Sequence, residues 1–453
     1  MHRLLKPLVY FLLYLITMAI MASSVLLKPH PFDSPLLSIL RVIIVCFASV
    51  LLTRYTVYMF LSPWYSVIAK REKALLDHFV HDYQPLVSVM IPAWNESVGL
   101  TATIKTLLAS TYKHLELVVV NDGSTDDSDF KMHKFLADYE REMAGIPRSE
   151  RIEIVYRYQT NAGKGAALNT AISIARGDIL ISIDADCIVH ERAVEHFVET
   201  FRDPRTQAAV GNVRIANTKG LIGTLQYLEY ILGFGFKRAD SLLNSIYIVG
   251  GAAGAFRKKV FEQLGGYDCK NITEDIELST RIQKAGMKIT YCPDALIYTE
   301  GANTLNGLMK QRLRWKRGRL QTFWKHRDLF FSLQPHHNKV LSWLILPLAV
   351  FQDVQIGFEP SFLLALYLFS FFSGDFSAFL SGVIIVFVMF LVQFWEKRTE
   401  YGYEFLVLSP IAWCLFYILT FVEFYALIMS IWLLIRRKEA RWQKWARKGV
   451  NGQ

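Results

Sequence analysis

Apolar runs bracket one long polar stretch, and this bracket constrains the chain more than any other feature. Residues 8–27 and 36–61 are each long enough to cross a hydrocarbon core, which needs about 20 apolar residues, and a third apolar block fills most of 340–435. The stretch between them, roughly 64–336, carries most of the charge and is long enough to bury its own core. The expected layout is two transmembrane helices in 1–63, a globular domain in 64–304, an amphipathic interface region in 305–336, a C-terminal bundle in 337–435 and a basic tail in 436–453. The first run starts basic, at His2, Arg3 and Lys6, but is too long for a signal peptide and lacks a small-x-small cleavage site.

A net charge of +10 invites a nucleic-acid reading. The positions argue against it. Lys70, Arg71 and Lys73 follow the second run, and Arg436, Arg437, Lys438, Arg441, Lys444, Arg447 and Lys448 follow the last. Basic flanks mark the cytoplasmic side of a span, so the termini and the polar domain are expected in the cytoplasm, with no nucleic-acid partner. That placement needs an even number of C-terminal spans. Breaks near Gln352–Pro360, Gly374-Asp375 and Glu396–Glu404 suggest four, at 340–358, 361–373, 376–395 and 404–435, with three as the competing count. Cys46, Cys187, Cys269, Cys292 and Cys414 form no Cys-x-x-Cys pair, which suits a reducing compartment.

Strand and helix patterns alternate through the polar stretch. Strands are expected at 86–91, 115–120, 152–156, 179–183, 207–213 and 288–291, and helices at 98–109, 126–140, 164–175, 220–240 and 275–285. Such alternation implies an α/β fold, a mostly parallel sheet flanked by helices. Ligands gather beyond the carboxyl ends of the strands in these sheets. Pro92–Glu96 (with Asn95 and Glu96), Asn121–Ser124 and Asp184–Asp186 all fall at such ends.

Each polar cluster has a functional and a plain reading. Asp122 in Asn121-Asp122-Gly123 can face a nucleoside, or can mark only a turn. Asp184 and Asp186 end an aliphatic strand and point the same way. Unpaired, they repel; a hard divalent cation, Mg2+ or Mn2+, would relieve that cost. Lys164 in Asn161-Ala162-Gly163-Lys164-Gly165 can meet a diphosphate at a helix start, or be a solvated lysine. Thr273-Glu274-Asp275 can supply a general base, or can be an N-cap with acids in the first turn. Gln311-Arg312-Leu313-Arg314-Trp315 lies in an amphipathic pattern at 305–331, which reads as an interfacial helix. Its Arg312 and Arg314 can also grip phosphate, and Trp315 can stack on a sugar. Gly250–Gly254 and Gly265–Asp268 permit close backbone approach, or are merely turns.

Taken in order, Asp122, Asp184-Ala185-Asp186, Thr273-Glu274-Asp275 and Gln311–Trp315 resemble the pattern of processive, membrane-bound inverting glycosyltransferases of family two, over about residues 85–325. The resemblance implies a glycosyltransferase A-type fold and a UDP-sugar donor. It also implies a divalent metal at Asp186 with Asp184, and Asp275 as base beside Glu274. Donor or acceptor contacts are implied for Asn95, Glu96, Lys164, Gln311, Arg312, Arg314 and Trp315. Within the family the chain looks most like bacterial poly-β-1,6-N-acetylglucosamine synthases, with chitin-oligosaccharide and hyaluronan synthases as competitors. The expected function is transfer of a sugar, N-acetylglucosamine foremost, to a growing polysaccharide at the bacterial inner membrane. The alternative is addition of one sugar to a lipid carrier. Expected partners are the UDP-sugar, a glycan or lipid-linked acceptor, the membrane and a small membrane accessory subunit. The basic Lys316-Arg317-Gly318-Arg319 run after the motif departs from what that group leads one to expect.

Overall fold

A computed structural model describes residues 2–27, 34–79, 82–396, 412–436 and 449. Two long apolar helices open the chain, α1 (His2–Leu26) and α2 (Pro35–Leu61). A single 3-10 turn at Ser62–Trp64 leads from α2 into the polar helix α3 (Tyr65–Phe79). The α/β domain then runs β1 (Val87–Ala93), α4 (Leu100–Leu108), β2 (Leu115–Asp122), α5 (Ser128–Glu142), β3 (Glu153–Gln159), α6 (Lys164–Ile174), β4 (Ile179–Ser182), β5 (Cys187–Val189) and α7 (Ala193–Thr200). It continues through β6 (Thr206–Ile215), α8 (Gly220–Leu242), β7 (Gly254–Arg257), α9 (Lys258–Leu264), α10 (Glu274–Lys284), β8 (Lys288–Thr299) and α11 (Leu305–Lys325). The apolar helices α12 (Leu346–Ser373), α13 (Ser377–Glu396) and α14 (Ala412–Ile435) follow.

The eight strands form one sheet in the order β3-β2-β1-β4-β7-β6-β8-β5. The pairs among β1 to β4 and the β6–β8 pair are parallel, while β7 and β5 run antiparallel to their neighbours. The aliphatic strands are buried on both faces, and the period-two alternation sorts their side chains. Val89, Ile91, Leu117 and Val119 enter a core with Ile104, Leu107, Met132 and Phe197. Met90, Val118 and Val120 enter the opposite core with Leu168, Ala171, Phe261 and Ile282. Each such side chain contributes about 1.5–3 kcal/mol on burial, and the buried polar residues among them, Ser88, Glu116 and Ser182, are hydrogen-bonded. The β1–β2 register pairs Ala93 with Asn121, which brings the loop beyond β1 beside Asp122.

A third core joins the sheet domain to the apolar helices. Leu225, Leu228, Leu232 and Phe236 of α8 pack with Tyr58 and Met59 of α2, Val388 of α13 and Val422 of α14. Among the described residues, four helical segments are long and apolar enough to cross a membrane: Leu8–Leu26, Pro35–Asp77, Leu341–Ser373 and Ala412–Ile435. Ser377–Leu391 is apolar but shorter.

Two expectations from the sequence differ here. No break occurs at Gln352–Pro360, because α12 runs through it with Pro360 inside the helix. Helices in apolar surroundings tolerate an interior proline when neighbours satisfy the freed carbonyl. The proposed spans 340–358 and 361–373 are therefore one helix, and the expected break at Glu396–Glu404 lies mostly outside the described residues, as does most of the basic tail. The strand expected at 288–291 extends to Thr299, where Leu296–Thr299 resumes pairing with β6 after a register shift.

Candidate functional site

The site lies at the carboxyl ends of β1, β2 and β4, closed by the loop before β7 and the start of α10. Asn95 adopts a left-handed φ of 53°. Its side-chain carbonyl accepts from the Thr125 amide at 2.7 Å, and its own amide donates to Ser124 Oγ at 2.8 Å. These bonds clasp the loops beyond β1 and β2. Glu96 is buried, and its carbonyl accepts from the Gly99 and Leu100 amides at the start of α4.

Asp122 is also buried. Its carboxylate accepts from Gln159 Nε2 at 2.7 Å, the Ala162 amide at 2.9 Å and the Gly163 amide at 2.8 Å. A carboxylate has about four acceptor positions, so most of Asp122 is spent in shaping the 161–163 loop. The expected contact with a nucleoside competes with these bonds. The loop leaves Gly163 at φ 92° and opens α6 with Lys164.

Lys164 reaches across the sheet edge. Its ammonium lies 2.5 Å from Asp184 Oδ1 and 3.6 Å from Glu274 Oε1. Burial works against the charge, but Asp184, Glu274 and Asp275 together raise the lysine pKa. Burial also raises the pKa of Glu274, with Lys164 opposing and Asp275 reinforcing the shift. The Gly-rich loop makes this approach feasible: a Cβ on Gly251 would sit 2.6 Å from Lys164 Nζ. The Gly251 amide donates to Asp275 Oδ2 at 3.0 Å, and Asp275 Oδ1 accepts from the Ile276 amide at 2.8 Å. Asp186 is 7% exposed and accepts from Cys187 Sγ at 3.6 Å. Gly99 gives the Asp184–Asp186 turn room, since a Cβ there would lie 2.9 Å from the Ala185 carbonyl. By contrast, Gly265-Gly266 is structural: Gly266 and Tyr267 pack on Asn169 of α6, which accepts from the Tyr267 amide.

The residues 311–315 divide between two tasks. Arg312 turns away from the acidic site and grips Glu229 of α8 with both guanidinium ends, at 2.7 and 2.6 Å. It also lies 3.7 Å from Glu423 of α14 and stacks on Trp315 at 4.4 Å. The reading in which Arg312 grips phosphate competes with this pairing. Arg314 forms no ion pair or hydrogen bond among the described residues, and its charge weakly opposes the rise in the Glu274 pKa that burial causes. It is the motif's cation on the acidic side. Gln311 is buried, with Oε1 lacking a partner among the described residues.

The basic run after Trp315 has a partner too. Lys316 bridges Asp353 of α12 at 3.0 Å and Glu423 at 2.7 Å, and Arg319 also pairs with Asp353. One side of the helix expected at the interface is a buried tie: Gln311, Arg312, Lys316 and Arg317 are all nearly inaccessible, while Leu305 and Trp324 are exposed. The carboxylates that neutralise it lie on distant apolar segments, so the helix looked more exposed in sequence than it is.

Sequence patterning also missed Gly318, although a glycine inside a helical pattern is a signal of close packing. A Cβ on it would lie 2.1 Å from Thr273 Oγ1, so α11 crosses directly over the start of α10. Asn271 adds a bond to Thr322 at 2.9 Å, and buried Glu277 bonds His326 at 3.1 Å and Lys325 at 2.7 Å. Gly318→Ala should raise intrinsic helix propensity by about 1 kcal/mol, yet overpacking costs about 1–3 kcal/mol. Displacing the Glu274–Asp275 turn by about 1 Å can cost roughly 10²-fold in rate. The expected outcome is a folded protein with kcat reduced tenfold or more (~10–100-fold). Unchanged kcat would show that α11 does not hold this turn.

A model of glycosyltransferase-like family 2 matches residues 84–318, more than half of the chain. The chain belongs to glycosyltransferase family 2. It is 26% identical over 387 residues to a poly-β-1,6-N-acetyl-D-glucosamine synthase of Staphylococcus epidermidis, covering 83% of this chain and 90% of that relative. It is 31% identical over 250 residues to the synthase of the same name from Staphylococcus aureus, covering 55% and 57%. A mannosyltransferase from Pyrobaculum calidifontis, solved in complex with GDP-Man and Mn2+, superposes with a TM-score of 0.52 at 18% identity, covering 88% of this chain and 100% of that one. That likeness bears on fold, and it agrees with a glycosyltransferase A-type domain. The family match makes the chain a glycosyltransferase, whose expected inverting chemistry needs a base and a stabilised leaving group on opposite sides of one sugar.

Proposed function

We propose that this glycosyltransferase moves N-acetylglucosamine from its UDP donor to a growing extracellular polysaccharide, with inversion. In this reading it is a multi-pass protein of a bacterial inner membrane with its catalytic domain in the cytoplasm. The observation that carries the site assignment is the convergence of Asp184, Lys164, Glu274 and Asp275 around the Gly251 backbone. The sugar assignment draws on the staphylococcal relatives, and the membrane assignment on the apolar helices.

Asp275 takes the proton from the acceptor hydroxyl. The freed oxygen bonds to the anomeric carbon, and the bond to UDP breaks on the opposite face. Lys164 and Arg314 face the developing diphosphate charge. Glu274 tunes Lys164, whose ammonium lies 3.6 Å from its carboxylate. Asn95, Glu96 and Asp122 build the loops that cradle the nucleoside. Among the described residues no group of three or more His, Cys, Asp or Glu side chains could enclose a metal. Two carboxylates fit a cation that takes its other ligands from phosphates and water. Asp186 and Asp184 would hold Mg2+ or Mn2+, which when bound neutralises negative charge on the departing diphosphate. Lys164 would then shift from Asp184 toward the phosphates.

The test uses the purified full-length chain in detergent with labelled UDP-N-acetylglucosamine and other UDP-sugars, followed by product sizing and linkage analysis. A polymer ladder of β-linked N-acetylglucosamine is expected, abolished by EDTA and restored by Mn2+ or Mg2+. A single sugar on a lipid would overturn the polymer assignment. Full turnover under exhaustive chelation, or in Asp184→Asn/Asp186→Asn, would remove the metal from the reading.

A further inference from the structure

Residues 245–250 form neither helix nor strand, yet Ile246, Val249 and the adjoining Gly251 are buried. A buried segment outside a helix or sheet must find other partners for its backbone. Side chains supply them. Gln283 Nε2 donates to the Ile246 carbonyl at 2.9 Å, Lys237 Nζ to the Ile248 carbonyl at 2.9 Å, and Ser182 Oγ to the Gly251 carbonyl at 3.0 Å. Ser279 Oγ accepts from the Val249 amide at 2.9 Å, and Asp275 Oδ2 accepts from the Gly251 amide at 3.0 Å.

Three of these partners share one face of α10. Asp275, Ser279 and Gln283 follow each other at a spacing of four, which stacks side chains along a helix. They meet Gly251, Val249 and Ile246 in turn, so the segment runs antiparallel to α10 and is fastened to it. Ser279 does two things at once. Its hydroxyl accepts from Val249 and donates to the Asp275 backbone carbonyl at 2.5 Å. One hydroxyl thus joins the helical turn that carries Asp275 to the segment that bonds the Asp275 carboxylate. Ser182 acts from the sheet. It precedes Asp184 by two residues, so the two share a strand face, and it holds the Gly251 carbonyl while Asp275 holds the Gly251 amide. Both serines are fully buried, so they reach the reaction only through this segment. A base that must meet its proton within hydrogen-bond reach tolerates little displacement.

We propose that Ser279 and Ser182 are positioning residues for the transfer, seating residues 249–251 so that the Gly251 amide keeps the Asp275 carboxylate aimed at the acceptor hydroxyl. The proposal rests on the assignment of Asp275 as base and adds what aims it. The strand that carries Asp184 and the helix that carries Asp275 are then held in register through one short segment, with a serine from each side.

The test compares purified full-length variants, using whichever labelled UDP-sugar the wild type turns over. Rates are normalised to the fraction of protein that binds UDP, so partial unfolding cannot mimic a slow enzyme. Ser279→Ala removes both of its bonds and should lower kcat about tenfold, with UDP affinity within about twofold of wild type. Ser182→Ala, on a separate element, should lower kcat by about three- to tenfold, as loss of one neutral hydrogen bond predicts. Made in the Asp275→Asn background, each serine change should cost less than about twofold more, because residues that act as one unit lose their effects together. A Ser279→Ala kcat within about twofold of wild type overturns the proposal. So do equal losses in both backgrounds, which mark a merely structural role, and a fall in UDP affinity that matches the fall in kcat. Should Asp275→Asn itself transfer at the wild-type rate, the base assignment fails and the proposal with it. A slow Asp275→Asn beside fast serine variants leaves the base standing and removes the proposal alone.

Discussion

Asp275→Asn is expected to lower kcat by about 10²–10⁴-fold, the usual loss when a general base is removed, while leaving UDP affinity near that of wild type. Asparagine matches the shape of the aspartate, and its carbonyl oxygen can keep accepting from the Gly251 amide, now at 3.0 Å. What it cannot do is take a proton from the acceptor. Its amide nitrogen would face the Ile276 amide, at 2.8 Å from the present Oδ1, so a small local adjustment is expected. UDP binding measured beside single-turnover transfer separates that adjustment from loss of the base. Transfer at the wild-type rate would move the base elsewhere. Glu274 is the weaker candidate, since the Lys164 ammonium, 3.6 Å away, already occupies its carboxylate.

Arg312→Ala should have the second large effect, and it should be on folding. The change would strand the Glu229 carboxylate, now paired at 2.7 and 2.6 Å, and remove a second cation from Glu423. Burial already raises the pKa of Glu229, with Arg312 opposing. Breaking a buried pair by deleting one partner costs about 3–5 kcal/mol, a large share of a typical domain stability of about 5–15 kcal/mol. Little monodisperse protein should survive extraction, and what survives should bind UDP normally. Arg312→Met combined with Glu229→Gln and Glu423→Gln removes the stranded charges and should recover much of the folded yield. Arginine to lysine should not, because one ammonium cannot replace a two-pronged guanidinium. A well-folded Arg312→Ala protein with weak UDP binding would return this residue to the donor site.

Much of the fold was legible along the chain. The mostly aliphatic runs at 115–120 and 179–183 became β2 and β4, because a strand buried on both faces favours apolar side chains; the buried Glu116 and Ser182 within them are hydrogen-bonded. The short strands Cys187–Val189 and Gly254–Arg257 were not legible. They are held by antiparallel pairing to β8, β4 and β6, which no local pattern encodes. The same distinction applies in the site. The acidic clusters at 184–186 and 273–275 could be read from spacing and from their place after a strand or before a helix. That Lys164 joins them, and that Gly318 presses on Thr273, could not.

The sequence alone determined the apolar bracket, the longer strands and helices of the domain, and which residue types could carry its chemistry. Those properties depend on neighbours within a few residues, through hydrophobic periodicity and turn propensity. Only the tertiary structure decided that Arg312 ties α11 to α8 and α14 while Arg314 faces the acids, and that Ser182 and Ser279 meet at residues 249–251. Those outcomes depend on distances between segments far apart in the chain. A charge finds its counter-charge, and a buried amide its acceptor, only when packing has brought those segments together.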